Sequence, residues 1–436
     1  MVTLAVPTRH LRPTSLLPFI AWGVLLILQL VSPDKAWSWL LVGLGLLILI
    51  AYVWARMLYE QVAAERRTLG AWVIAGDLLR EQFTLTNRGK LPVLWARIRD
   101  QSQVPGYRVD RVETVGGEEE RSWTTTGVCQ RRGVFQLGPW DVEMADPLGF
   151  FTVTHHYPDS ATILVYPRAS RLPDLDLPRG RASGRASSSQ RANEETILVG
   201  GLRAYHPGDP LRRIHWKATA RHDNLMVHDF DREPSGDVWL IVDMDSRVQA
   251  GRDAEATQEY AVILAASLAA RFLRQGERRA VGMVISGRHP AILPPGRGQP
   301  QSWRILDALA RAEPAPDLGL EQLLRQSGPS LGSGRTLIIV TPSQDGGWVA
   351  PLLPLIARGN SPTAVLLDAT TFDPPAGDPQ ALLGLRGLLA QQRIHSAVLE
   401  QGFPFQPIDR IRRRRTEARA LSGFGRVIRV EVEEEV

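Results

Sequence analysis

Two apolar runs near the start of the chain restrict its possible folds more than any other feature. Residues 13–33 read PTSLLPFIAWGVLLILQLVSP and residues 36–55 read AWSWLLVGLGLLILIAYVWA; neither contains an Asp, Glu, Lys or Arg. Each is close to the ~20 residues an α-helix needs to cross the hydrocarbon core of a bilayer. Trp37, Trp39, Tyr52 and Trp54 lie toward the ends of the second run, where amphipathic rings favour the membrane interface. The intervening SPDK leaves room only for a tight turn. The pattern therefore predicts a transmembrane hairpin with spans over about residues 14–33 and 36–55 and both ends on one side. A cleaved signal peptide fits less well, because its apolar core is shorter and no second full span follows it.

Flanking charge orients the hairpin. Arg9 and Arg12 precede the first run, Arg56, Arg66 and Arg67 follow the second, and the turn offers only Lys35 beside Asp34. The positive-inside bias places both ends, and everything after the hairpin, in the cytoplasm. The expected location is the cell (inner or plasma) membrane. The single cysteine, Cys129, excludes an intrachain disulfide and a Cys-based zinc site. It agrees with a reducing compartment and reads as a small buried hydrophobe in a strand. The net charge of +5 is carried by arginine clusters around residues 179–191 and 410–415. Basicity of that size suits an anionic membrane surface, an acidic partner or nucleic acid equally.

The remaining chain divides by pattern. Residues 1–66 form the hairpin segment. Residues 67–170 alternate apolar and polar positions in short stretches such as LREQFTLTNRG, GVFQLGPWDVEM and FFTVTHHYP, separated by turn signals at residues 87–89, 105–106 and 116–117. That spacing predicts a β-sandwich. His155 and His156 are adjacent on one of its strands, so their rings point to opposite faces. Residues 171–198, rich in Arg, Ser, Gly and Pro, predict a flexible linker, and residues 199–234 form a separate signature segment. From residue 235 to 436 continuous apolar strands (VWLIVDMD, AVGMVIS, TLIIVTPS, TAVLLDAT) alternate with amphipathic helices. A doubly wound, largely parallel sheet follows from this alternation. The fold class expected is multidomain α+β: a helical hairpin, a β-sandwich and an α/β doubly wound domain. Ligands of such sheets sit at the carboxyl ends of the strands, here occupied by Asp243, Asp245, Ser246, Thr341, Ser343, Asp345 and Asp368.

No G-x-G-x-x-G follows the first of these strands and no G-x-x-x-x-G-K-[ST] occurs, which disfavours a Rossmann dehydrogenase or a P-loop NTPase. A nucleophile elbow of the G-x-S-x-G kind is likewise not expected. The first strand ends in Asp243-Met244-Asp245-Ser246-Arg247. This resembles the von Willebrand factor A domain, whose D-x-S-x-S motif, with a Thr and an Asp from later loops, holds Mg²⁺ through oxygen ligands. Here Asp245 replaces the first Ser, Arg247 replaces the second, and Asp345 is the candidate for the later Asp. No Thr stands out for the middle loop. The resemblance implies at most a degenerate metal site of Asp243, Asp245 and Asp345. The alternative is that Asp243 caps the strand end and bonds to the neighbouring loop.

The densest chemistry lies in YHPGDPLRRIHWKATAR, residues 205–221. Pro207-Gly208 suits a type II turn, Asp209 and Pro210 a helix start, and Leu211, Ile214 and Ala218 an inward helix face. His206, His215, His222 and His228 lack the i, i+4 spacing of a helical metal clamp. A buried ion-pair clasp around Trp216, or a partner-docking surface, suits the charges better. The stretch resembles the signature of the DUF58 family of membrane proteins, approximately R-x-Y-x-x-G-D-x-x-R-x-I-x-W-x-x-x-A-R with a later acid. Arg203, Tyr205, Gly208, Asp209, Arg212, Ile214, Trp216, Ala220, Arg221 and Glu233 match it. So do Arg132-Gly133 and Asp146-Pro147-Leu148-Gly149 in a second stretch. The resemblance implies no established activity. Its members resemble partners of MoxR-type AAA+ ATPases, which points to a membrane-anchored, non-enzymatic adaptor in a chaperone-like or envelope-related system, with no cofactor. The alternatives are a divalent-metal-dependent protein using the degenerate site and an anionic-lipid surface binder. The last would use Arg412, Arg413, Arg414 and Arg415, read as part of a basic helix near the end of the chain. Nucleic acid is disfavoured there, since no aromatic platform accompanies the run.

Overall fold

The computed structural model describes residues 7–70, 72–172, 199–204, 216–220, 224–230, 236–274, 279–316, 318–374, 377–407, 412–420 and 427–435. The chain divides into two units. The first takes Met1–Ser170 with Leu306–Ala312 and Pro407–Val436, the second Arg171–Ile305 and Glu313–Gln406.

The first unit opens with a strand that the sequence pattern does not announce, β1 (Thr8–Pro13). Helices α1 (Leu17–Val31) and α2 (Lys35–Gln61) follow. The Asp34 carboxylate caps α2 by accepting from the Ala36 N–H at 2.7 Å. At 1.5 Å per residue the two helices are ~22 and ~40 Å long. Of these, α2 is long and apolar enough to cross a membrane, and α1 is a shorter apolar helix. The helices pack against one another, with Trp22 Nε1 donating to the Leu41 carbonyl at 3.1 Å. Gly45 permits that approach, because a β-carbon there would lie 2.9 Å from Trp22 Nε1. The second apolar run was expected to end near Ala55. Instead α2 continues to Gln61, and Ala51, Ala55 and Leu58 are buried, so its last turns belong to the core of the unit.

Ten further strands complete this part: β2 (Val62–Thr68), β3 (Trp72–Ile74), β4 (Leu78–Asn87), β5 (Val93–Asp100), β6 (Asp110–Val115), β7 (Glu119–Val128), β8 (Gly133–Leu137), β9 (Trp140–Ala145), β10 (Phe151–Tyr157) and β11 (Ala161–Tyr166). They form sheets in the orders β1-β10-β9-β5-β6, β2-β4-β7 and β3-β11-β8. Along β4 and β10 every second residue is buried, the period-two pattern of a sheet with one face on a core. Phe83, Leu85, Ile98, Val142, Met144 and Val153 lie in that core, with Trp140 stacked on Tyr157 at 4.1 Å. Cys129 is fully buried there, just past β7, and burial pushes its thiol up to about 11.

One flanking cation turns inward. Arg66, on β2, is 9% exposed. Its Nε donates to both oxygens of Glu81 at 3.0 and 3.1 Å, and Nη1 donates to Asp100 at 2.9 Å. Tyr107 and Thr68 hydroxyls donate to the same Glu81 carboxylate at 2.5 and 2.8 Å. Its role is therefore to tie β2, β4 and β5 together rather than to mark a membrane flank. His155 is buried on β10 with neither ring nitrogen hydrogen-bonded, edge-on to Tyr59 of α2 at 6.4 Å, while His156 is partly exposed and bonds Asp141 at 2.6 Å. The two rings do face opposite ways.

Two short strands follow, β12 (Ser170–Arg171) and, in the second unit, β13 (Val199–Ala204), which pairs antiparallel with β14 (Met226–Phe230) around helix α3 (Trp216–Thr219). The predicted linker falls outside the described residues from 173 to 198.

The second unit is built on β15 (Val238–Val242), β16 (Val281–Ile285), β17 (Ala291–Gly296), β18 (Thr336–Thr341), β19 (Ser361–Leu367) and β20 (His395–Leu399), in the order β17-β16-β15-β18-β19-β20. All neighbours are parallel except β17, which runs antiparallel to β16 at the edge. Helices α4 (Thr257–Leu273), α5 (Gly298–Arg311), α6 (Leu320–Ser327), α7 (Leu352–Ala357), α8 (Ala369–Phe372) and α9 (Pro379–Gln391) connect the strands. Every residue of β15 and β16 is buried, as a parallel sheet covered on both faces requires.

After β21 (Gln406–Pro407) the expected basic helix is not found. Residues Arg412–Ala420 form a strand, β22, paired antiparallel with β23 (Val427–Glu435). The register sets Arg412, Arg413 and Arg414 opposite Glu435, Glu434 and Glu433. The run also lacks the apolar stripe that a packed helix needs.

Candidate functional site

The order of the six-stranded sheet reverses beside β15, because the chain goes first to β16 on one side and later to β18 on the other. Such a switch point opens a crevice at the carboxyl ends of the strands. The chain leaves β15 there as Asp243-Met244-Asp245-Ser246-Arg247, with the Asp243 N–H on the Val340 carbonyl at 3.0 Å. The Met244 N–H donates to Ser286 Oγ, just past β16, at 2.8 Å. Residue Ala315 bridges to the same loop, donating to the Met244 carbonyl and accepting from the Ser246 N–H, both at 3.1 Å.

Both oxygens of Asp243 are engaged. The Thr341 hydroxyl at the end of β18 donates to Oδ2 at 2.7 Å, and the Asp245 N–H donates to Oδ1 at 3.0 Å. Thr341 Oγ1 in turn accepts from the Ser343 N–H at 2.9 Å, and Gln249 Nε2 donates to the Asp243 carbonyl at 3.0 Å. Asp243 and Thr341 are almost wholly buried. Burial pushes the Asp243 carboxyl up to about 6, against the lowering effect of the Thr341 hydroxyl and the Asp245 N–H. The neighbouring Asp245 goes the other way. Burial alone would raise it, but the Arg247 guanidinium outweighs burial and holds it below the usual carboxylate range. Arg247 Nε lies 2.9 and 3.0 Å from the two Asp245 oxygens and Nη2 lies 2.7 Å from Oδ2. The Arg247 side chain is nevertheless 60% exposed, and its Nη1 has no hydrogen-bond partner among the described residues.

This donor set does not fit Mg²⁺, which demands an octahedron of oxygens. The Asp245 oxygens are taken by a fixed cation, and those of Asp243 by a hydroxyl and an N–H. Asp345 is not brought to them; it is exposed and accepts from the Gly347 N–H at 3.1 Å. Among the described residues no three His, Cys, Asp or Glu side chains gather in the range of one metal ion. Asp368 caps α8 through the Thr370 N–H at 3.1 Å. The chain does contain a G-x-S-x-G string, GPSLG at residues 328–332. It follows helix α6 and precedes strand β18, the reverse of a strand-to-helix nucleophile elbow.

The signature segment is described in part. Arg203 is on β13, with Val227 as its ladder partner. Trp216 opens α3 and is 68% exposed, so it is not the centre of a buried clasp. Tyr205, Gly208, Asp209, Arg212, Ile214, Arg221 and Glu233 lie outside the described residues, as does Gly276, expected to end α4. Arg412, Arg413, Arg414 and Arg415 fall on β22 rather than on a helix. Sequence reasoning named Thr341 as a strand-end residue without pairing it with Asp243, and missed Ser286 and Gln249. The available signal for Ser286 was its position as the first polar residue after a wholly apolar strand.

Fold and site together define a doubly wound α/β unit whose switch point is tied shut by side-chain hydrogen bonds. Residues 201–327 match the model of the family described as "Protein of unknown function DUF58": the chain carries a DUF58 domain. The matched span includes Asp243, Asp245, Arg247 and Ser286 and ends before Thr341. The uncharacterized protein Rv1480 of Mycobacterium tuberculosis is 29% identical over 187 residues, covering 41% of this chain and 58% of the relative. The uncharacterized protein YeaD of Bacillus subtilis is 25% identical over 245 residues, covering 55% and 59%. The chain thus spans less than two thirds of the length of these curated relatives. Among solved structures, the CARDB domain of the PF1109 protein from Pyrococcus furiosus is similar at 13% identity and TM-score 0.18, over 24% of this chain and 90% of that one. A β-glucosidase from Listeria innocua is similar at 13% identity and TM-score 0.17, over 24% and 16%. Neither likeness carries an argument about this chain.

Proposed function

We propose that this chain is a membrane-anchored, non-enzymatic adaptor. In this reading the second unit, resembling a von Willebrand factor A domain, is presented at the cytoplasmic face of the cell membrane to a MoxR-type AAA+ ATPase. The observation that carries the reading is the state of the switch point. Both oxygens of its buried carboxylate are engaged, by the Thr341 hydroxyl and the Asp245 N–H, and it presents to solvent a guanidinium pinned by Asp245. A pinned cation with free N–H groups is a recognition element for a carboxylate. The strand order with its antiparallel edge supports the domain reading. The anchor is supported by α1 and α2 lying between β1 and β2, two strands of one unit. Helices bracketed in this way would enter and leave the bilayer on the same side.

The test is affinity purification of the full chain in mild detergent with a bound non-hydrolysable ATP analogue. A MoxR-type ATPase should be retained, and Arg247→Gln should weaken retention by about tenfold, equivalent to ~1.4 kcal/mol, with an unchanged melting temperature. Retention no greater than by an unrelated membrane protein would overturn the reading.

A further inference from the structure

We propose that the turn joining β9 to β10, Asp146-Pro147-Leu148-Gly149-Phe150-Phe151, is a membrane-interface anchor whose tip sits in the headgroup–acyl boundary of a phospholipid bilayer. The proposal rests on the reading of α1 and α2 as membrane helices.

The turn is rigid by its own chemistry. Asp146 is 2% exposed. Its carboxylate accepts from the Phe150 N–H at 2.9 Å and from the Phe151 N–H at 3.2 Å, while its carbonyl accepts from the Gly149 N–H at 3.1 Å. Gly149 takes φ +69°, the left-handed conformation that glycine adopts without strain. The device holds Leu148 outward, 44% exposed. A lone exposed leucine needs no explanation; the place where this one is held does.

The turn is bonded to the junction at which the chain enters α1. The Thr14 N–H donates to the Phe150 carbonyl at 2.8 Å, and the Thr14 and Thr152 hydroxyls are 2.8 Å apart. Phe151 packs edge-on against Phe19 of α1 and Tyr52 of α2, with centroids 5.7 Å away in both cases. Tyr52 stands seventeen residues beyond Lys35 in α2, about 26 Å along the axis. A hydrocarbon core is ~30 Å thick. If the Lys35 end marks one interface, the Phe19–Tyr52–Phe151 cluster therefore marks the other. The helix surface between is strongly apolar, with Ile20, Val42 and Leu46 all more than half exposed. Just outside the cluster stand cations, Arg12 exposed on β1 and Arg56 half-exposed. Apolar surface, an aromatic layer and then basic residues is the order of a bilayer interface. Leu148 is two residues from Phe150, at most about 7 Å of chain, which keeps it within the interfacial layer. The bilayer surface continuous with α1 and α2 is thus the occupant that fits the turn.

The test uses the full chain with Cys129→Ala, reconstituted in phosphatidylcholine vesicles containing phosphatidylglycerol. Single cysteines at Leu148→Cys, Leu46→Cys and Glu120→Cys carry an environment-sensitive NBD label in separate samples. The label at position 148 should emit blue-shifted and lose at least half its intensity to lipids bearing a shallow nitroxide. The label at 46 should respond to deep nitroxides, and the label at 120, exposed on β7, to neither. A water-like or lipid-unquenched label at 148 with a deeply quenched label at 46 would overturn the anchor and leave the membrane helices standing. A water-like label at both 46 and 148 would overturn both.

Discussion

Asp243 is a carboxyl group kept indoors by a hydroxyl ninety-eight residues away in sequence. Removing that hydroxyl leaves a buried acceptor and the Ser343 N–H without partners, and unsatisfied buried groups cost about 1–3 kcal/mol each. Thr341→Val should therefore lower the unfolding free energy of the second unit by roughly 2–4 kcal/mol, while Thr341→Ser should retain most of it. Urea unfolding of the two variants measures the difference. The acids themselves were legible in the sequence, because they close a continuous apolar strand, and so was the arginine at the position of an expected oxygen ligand. Their partners were not. Ser286 and Thr341 reach the Asp243–Met244 segment across separations of forty-two and ninety-eight residues, and no local pattern records a contact made by sheet order. Asp345, chosen because it follows the right strand, satisfies its own loop instead.

Among the elements, β2 carries the clearest lesson about how sequence misleads. Arg66 reads as one more cation beyond an apolar span, yet folded it is the hub that Glu81 and Asp100 share. Burial alone would lower its pKa, but the Glu81 and Asp100 carboxylates raise it, so it stays charged in the core. Truncation to Arg66→Met would strand two buried carboxylates, and breaking a buried ion pair from one side costs about 3–5 kcal/mol. Equilibrium unfolding of that variant should show a loss of this size, whereas Arg67→Met, on an exposed side chain, should change stability by less than about 0.5 kcal/mol. The α/β elements of the second unit were readable because their periodicities are local. β1 was not, since a six-residue strand before an apolar helix has no turn partner to announce it. β22 was misread because charge content was taken for helix content. Its register against an acidic strand is a property of two segments at once.

At the scale of the whole molecule the two units answer acid in opposite directions. Burial, reinforced by Arg9, pulls His155 of the first unit from 6.5 down to about 4. The unfolded chain thus binds that proton first, and stability present above pH 6.5 is lost as pH falls toward 4, by up to about 3 kcal/mol. Asp243 of the second unit is raised from 3.8 to about 6; there the folded state takes the proton first, and stability rises as pH falls through that window. Hydrogen exchange of peptides from each unit, corrected for intrinsic rate between pH 7 and 5, should show the first unit loosening alone. His155→Phe should abolish that response.

The pairing of β1 with β10 also fixes an order of events during synthesis. Thr8 finds its ladder partner at His156 and Pro13 at Phe151, so β1 cannot pair until β10 has been made. At 5–20 residues per second that interval is roughly 7–30 s. For most of it α1 and α2 are already made and their apolar surfaces need cover. Helix placement in such a chain precedes sheet closure, and the two sheets that take up β1 and β2 then hold the outer ends of α1 and α2.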